Sequence, residues 1–193
     1  SNCNYFNRNI TNIEKISWKL KKIEIYTDKN KNEKILNFEN SNNQLFSIIK
    51  NYQLYQVLNK NLFKSKYFKK IKSKKKLIER EKYNLIVNTE YNNAFKKKYF
   101  SKKIEKSYNS SAYTTVINHE KISNQIAVQI FTKIGPLAFL PLSKNKTSIV
   151  YSIYNSKDID RKKIIHLINK HNIKYKIKKI EKIENFELKS FNL

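Results

Sequence analysis

The sequence predicts an α+β fold: a largely antiparallel β-sheet carrying two or three helices. Three features carry this reading. Runs rich in β-branched and aromatic residues recur between residues 112 and 154. Two other windows space their apolar residues at the helical period. Polar breaks rich in Asn and Lys separate these runs, and no internal repeat divides the 193 residues, so they read as one domain.

The elements follow in order. Residues 19–27 and 34–38 read as two strands, joined by the polar hairpin loop 28–33, DKNKNE. LFSII at 45–49 is a third strand. Leu54, Tyr55, Leu58 and Leu62 then share one face of a helix over 51–63. Residues 64–82 are the most basic run and read either as a solvated loop with short edge strands or as a contact for an anionic surface. The continuous apolar run of 83–88, YNLIVN, reads as a buried strand, and a short helix or turn follows at 93–100. AYTTVIN, AVQIFT and TSIVYSIY have the spacing of an antiparallel meander. A helix over 158–170 follows, capped by Ser156 or Asp158, with Ile164, Leu167 and Ile168 as its buried stripe. A strand pair at 174–180 and 184–191 ends the chain.

Composition excludes several functions. Phosphate cradles such as GxGxxG need several glycines, and this chain has one. The three histidines, His119, His166 and His171, have no metal-ligand spacing, and each reads as a packing or surface residue. Cys3 is alone, so no internal disulfide forms, which suits a reducing compartment. No apolar run is long enough to span a bilayer as a helix. The net charge of +26 suggests a nucleic-acid partner. However, only Arg8, Arg80 and Arg161 among the 41 basic residues are arginine, the side chain that reads bases and phosphates bidentately. Abundant Lys, Asn, Ile, Tyr and Phe fit AT-rich coding, so the charge reads either as mutational bias on a solvated surface or as a selected basic patch. No sequence-specific nucleic acid is expected. The missing initiator methionine points to a fragment or a processed product.

The only glycine and both prolines fall within Gly135-Pro136-Leu137-Ala138-Phe139-Leu140-Pro141-Leu142. Glycine adopts unusual φ, and proline removes a ladder donor. The segment is too apolar for a solvent loop, and its prolines argue against a central strand. It reads either as a sharp corner between core strands or as a rigid, edge-like cover lining a cavity, with Gly135 and Pro136 facing that cavity.

This stretch resembles the signature of the flavin-dependent hydroxylases of ubiquinone biosynthesis, the 2-polyprenyl-6-methoxyphenol hydroxylase family. The likeness runs through Tyr108, Ala112, Val116, His119, Ala127, Gln129-Ile130-Phe131, Gly135 to Leu142, and Thr147-Ser148-Ile149-Val150-Tyr151, with order and spacing kept over about 45 residues. Leu45–Leu62 and Phe186-Glu187-Leu188 resemble flanking segments more weakly, and 1–44 match only in strand character.

The resemblance implies the substrate domain of an aromatic flavoprotein hydroxylase, the middle of a larger fold whose FAD-binding N- and C-terminal parts lie outside 1–193. It implies FAD, NAD(P)H as reductant, O₂, and a polyprenylated phenol as substrate. Phe131, Gly135, Pro136, Ala138, Leu140 and Pro141 would line the substrate pocket, with no catalytic acid or base among them. The family's Asp-Gly motif falls at Asn88–Ala94, where Glu90 stands for Asp, Tyr91 for Gly and Ala94 for Ser. Glu90 is the one cofactor-binding candidate. Implied partners are an anionic membrane, touched peripherally from the cytoplasm, and a ubiquinone-biosynthesis complex. Two other classes remain: a lysine-rich RNA-binding or ribosomal protein, and an inactive relative serving as an assembly subunit.

Overall fold

A computed structural model describes residues 2–29, 33–40, 44–70, 105–154 and 159–191, together with the isolated residues 84, 85, 87 and 89. The described chain is α+β, with three α-helices and ten strands in two sheets. Helix α1 (Asn2–Asn9) and a single 3-10 turn (Glu14–Ile16) lead into β1 (Ser17–Leu20) and β2 (Lys22–Thr27). β3 (Glu33–Glu39), β4 (Phe46–Ile49) and α2 (Asn51–Leu62) follow. β5 (Glu105–His119), β6 (Ile126–Thr132), β7 (Gly135–Ser143) and β8 (Lys146–Tyr154) come next. The chain continues through α3 (Arg161–His171), β9 (Ile177–Ile180) and β10 (Glu184–Phe191).

β1 and β4 form a small antiparallel sheet. The main sheet has the order β10-β5-β8-β7-β6-β2-β3, with β9 also on β5. Its pairings are antiparallel except β2 against β6.

The strands at 34–38 and 45–49 and the helix after them stand close to their expected bounds, but the expected strand 19–27 is divided: Lys19 and Leu20 end β1 in the small sheet, and β2 pairs with β3 in the main one. Glu24 of β2 fastens the exposed edge strand β3 by accepting from Lys34 at 2.8 Å, and is itself held by the Tyr26 hydroxyl of its own strand, which donates to it at 2.9 Å. Other expectations are corrected. The 112–154 region is not one simple meander: β6, β7 and β8 form a meander, and β5 pairs with β8 on its far side. β9 and β10 do not pair with each other; both pair with the 15-residue β5, which is long enough for two partners. The last helix begins at Arg161 with Asp160 in the N-cap position, where the Asp160 side chain makes no capping hydrogen bond. Leu85 and Val87, expected in a buried strand, are 79% and 77% exposed and lie outside any strand. Tyr83, Ile86, Asn88, Glu90, the turn at 93–100, residues 71–82 of the basic run and the expected caps Ser156 and Asp158 lie outside the described residues. The polar helix α1 carries no buried residue, so no apolar stripe announced it.

The segment around Gly135 is corrected most. It is neither an edge nor a cavity cover, but β7, the middle strand of the order, paired with β6 and β8. A strand tolerates proline at its first residue or at a bulge, and only Pro141 stands in such a place. Pro136 is the second residue of β7, and Pro141 borders the register shift against β8. Gly135 is buried at φ +141°, where L side chains rarely sit. A Cβ there would collide with the backbone carbonyl of Ser152 in β8. The glycine therefore meets a neighbouring backbone, not a ligand cavity.

The core lies between one face of the sheet and α3. Val128, Ile130, Leu137, Phe139, Ile149, Tyr151 and Ile153 meet Ile164 and Ile168 there. Burying each of those two helix isoleucines is worth about 1.5–3 kcal/mol. The backbone amide of Ile159 donates to the Tyr113 hydroxyl at 3.0 Å and fixes the approach to the helix. Leu167 is only half-buried, and His171 takes the next inward position.

Two predictions follow from this packing. Gly135→Val should cost at least about 3 kcal/mol in urea-denaturation stability, because backbone strain and a backbone collision add. An unchanged midpoint would contradict the close approach. Burial lowers the His171 pKa, which Asp28 opposes and Lys170 reinforces. The folded chain thus disfavours the protonated ring. Stability should be full above the ordinary histidine range and fall as pH drops through it. In stability measured against pH, His171→Leu should flatten that fall.

Candidate substrate surface

Along β7 burial alternates strictly. Gly135, Leu137, Phe139 and Pro141 are buried, while Pro136, Ala138 and Leu140 are half-buried on the opposite face. A strand turns successive side chains to opposite faces, so this alternation separates a closed face under α3 from a more open one. The six residues of the expected pocket are divided by it. Pro136, Ala138 and Leu140 share the open face, joined by Phe131 opposite Pro136. Gly135 and Pro141 point to the closed face.

Register extends the open face into three rows. The first holds Phe131 and Pro136, then Ser152 by continuation of the β7–β8 register, then Ala112, which is itself buried, and Phe186. The second runs Gln129, Ala138, Val150, Thr114 and Glu184. The third joins Leu140, Ser148 and Val116. Phe131 is 47% exposed and Phe186 52%. β1 and β4 each contact β7.

Between Gln129 and Thr114 no member of these rows is titratable. Glu184, at the β10 margin, is the one acid in them. The surface is thus apolar with hydroxyl and amide groups interspersed, in a chain of net charge +26. It can hold a flat apolar group and exclude water from it. Among the described residues its stretch from Gln129 to Thr114 offers no titratable side chain.

Titratable groups gather on the closed face or at the strand ends instead. Thr132 Oγ1 donates to the Gly135 carbonyl at 2.7 Å and lies 2.9 Å from the Tyr151 hydroxyl, whose pKa burial raises. At the other end His119, within the quoted signature, is 4% exposed. Its Nε2 lies 3.0 Å from Thr147 Oγ1, and its Nδ1 2.7 Å from the Glu120 carbonyl. Asn124 Nδ2 donates to Thr147 Oγ1 at 2.9 Å and to the Ser143 carbonyl at 2.8 Å. The Tyr175 hydroxyl donates to Asn124 Oδ1 at 3.1 Å, and burial raises its pKa and keeps it protonated. These groups are satisfied by one another and hold loops in place. Sequence reading passed over Asn124 entirely, since a lone Asn in an Asn-rich chain carries no signal.

Among the described residues no group of His, Cys, Asp and Glu could hold a metal ion, and no helix is long and apolar enough to cross a membrane. No protein-family model and no curated protein matches the chain.

The face assignment has a direct check. Leu137→Asn should cost more than about 3 kcal/mol, whereas Ala138→Asn should cost under about 1.5 kcal/mol. Equal losses in chemical denaturation would contradict the division of β7 into two faces.

Proposed function

We propose that the chain is the substrate domain of an FAD-dependent aromatic hydroxylase acting on a polyprenylated phenol, as the likeness around Gly135 to Leu142 implies. The observation that carries this reading is the open sheet face around Phe131, Pro136, Ala138 and Leu140, apolar and free of titratable groups from Gln129 to Thr114. A phenol ring bound there needs shape and dryness from the protein, while the flavin supplies the oxygen chemistry. FAD and NAD(P)H belong, in this reading, to parts of a parent protein beyond these 193 residues. Glu90 stands as the degenerate cofactor contact.

The substrate's polyprenyl tail places it in a bilayer. Exposed lysines such as Lys64, Lys66, Lys69 and Lys70 suit peripheral attachment to an anionic leaflet, each worth about 1 kcal/mol near the surface. Cytoplasmic residence and membership of a ubiquinone-biosynthesis complex belong to the same reading.

A second reading has one observation in its favour. Tyr67 is 87% exposed, with Lys66 Nζ 5.1 Å from its ring centroid, a combination suited to stacking an unpaired RNA base.

The test uses a photoreactive polyprenyl phenol in anionic liposomes. Label should fall on β6, β7 and β8 at open-face residues, and Ala138→Asp should abolish it while the protein still floats with the vesicles. Label confined to the lysine-rich 64–70 segment would sink the substrate-surface reading. Equal flotation with neutral vesicles would sink the membrane part alone.

A further inference from the structure

A cavity of about 560 Å³ lies at the other end of β6 and β7 from Phe131 and Gly135. Trp18, Lys121, Ser123, Asn124 and Lys144 are among its lining residues. Nine residues of β7 separate the two ends, roughly 25–30 Å at strand rise. The size suits a ligand of moderate mass.

Its walls are held in place before any ligand arrives. The Trp18 indole donates to the Asn124 carbonyl at 2.7 Å. The Asn124 side chain is fixed beneath by Thr147, Ser143 and Tyr175. The Ile122 amide donates to the Lys144 carbonyl at 3.0 Å and ties one rim to the other. No acidic residue is in the lining. Among the described residues neither Lys121 nor Lys144 forms an ion pair, and Ser123 makes no hydrogen bond. The nearby Glu120 is engaged elsewhere, 3.1 Å from Lys176.

We infer that this cavity binds a small flat aromatic molecule carrying an anionic group. The locked indole offers an apolar wall for the ring. Lys121 and Lys144 balance the charge, and the Ser123 hydroxyl donates to an anionic oxygen. The bonded Trp18 and Asn124 walls lose little conformational entropy on binding, and the ordering cost falls on the two exposed lysines. The inference does not depend on the hydroxylase reading, because the two sites lie at opposite ends of the sheet.

Trp18 is the one tryptophan of the chain, so its fluorescence reports on this cavity alone. Adenosine monophosphate is the probe, with adenosine and inorganic phosphate as separate arms. Adenosine monophosphate should quench the emission saturably, and each partial ligand should bind at least about tenfold more weakly. The double variant Lys121→Gln/Lys144→Gln should weaken the nucleotide by at least about tenfold, with circular dichroism unchanged, since both lysines are exposed. No saturable response to the nucleotide would overturn the inference. So would a response that survives the double variant. Phosphate binding as tightly as the nucleotide would overturn it too, because the indole would then play no part.

Discussion

The sheet depends on the close passage of Gly135 against the Ser152 carbonyl of β8. No other residue type fits there, because the space a Cβ needs is occupied by backbone and the φ of +141° is foreign to L side chains. That contact seats the first residue of β7 beside β8. From it the register runs through Leu137 opposite Tyr151 and Phe139 opposite Ile149. A slip of one residue would turn Leu137 and Phe139 outward and Ala138 and Leu140 inward. The core under α3 and the open face opposite both depend on this one register.

The two faces then divide the chemistry. The closed face takes the large apolar side chains and, at one end, the polar group of His119, Asn124, Thr147 and Tyr175. Each buried polar atom of that group finds a partner, which keeps such a network from costing stability. The open face takes small and medium apolar residues with hydroxyl and amide groups. In a chain with 41 basic side chains, a charge-free stretch across four adjacent strands is what a buried apolar ligand or a docking partner requires. The exposed rings of Phe131 and Phe186 border it.

Much of the fold was legible from pattern alone, and the failures have physical causes. Alternation and β-branched runs located β2, β3, β4, β6 and β8, and the helical period located α2 and α3. What pattern does not encode is which strand pairs with which. β9 and β10 looked like a hairpin because they are adjacent in sequence, yet the length of β5 lets it take both. YNLIVN looked buried because apolar runs usually are, yet Leu85 and Val87 are exposed. The prolines of β7 misled for a subtler reason. Proline does oppose a central ladder, but only at positions that need its amide. Pro141 stands at the strand's bulge, and Pro136, its second residue, pairs with β6 one residue before the β8 ladder begins at Leu137, so the composition was read rightly and the geometry wrongly. The same holds for the candidate site. Its residues were singled out as one block, whereas strand alternation sends Gly135 and Pro141 to the opposite side from Pro136, Ala138 and Leu140.

The central claim is that β7 is a two-faced central strand whose even-numbered side chains are open and whose odd-numbered ones are sealed by α3. Residue-level carbene footprinting of the folded chain tests it most directly. The account predicts insertion at Phe131, Pro136, Ala138 and Leu140, and protection at Leu137, Phe139 and Ile149. Labelling that ignores the alternation, or that favours Leu137 and Phe139 over Ala138 and Leu140, would contradict it.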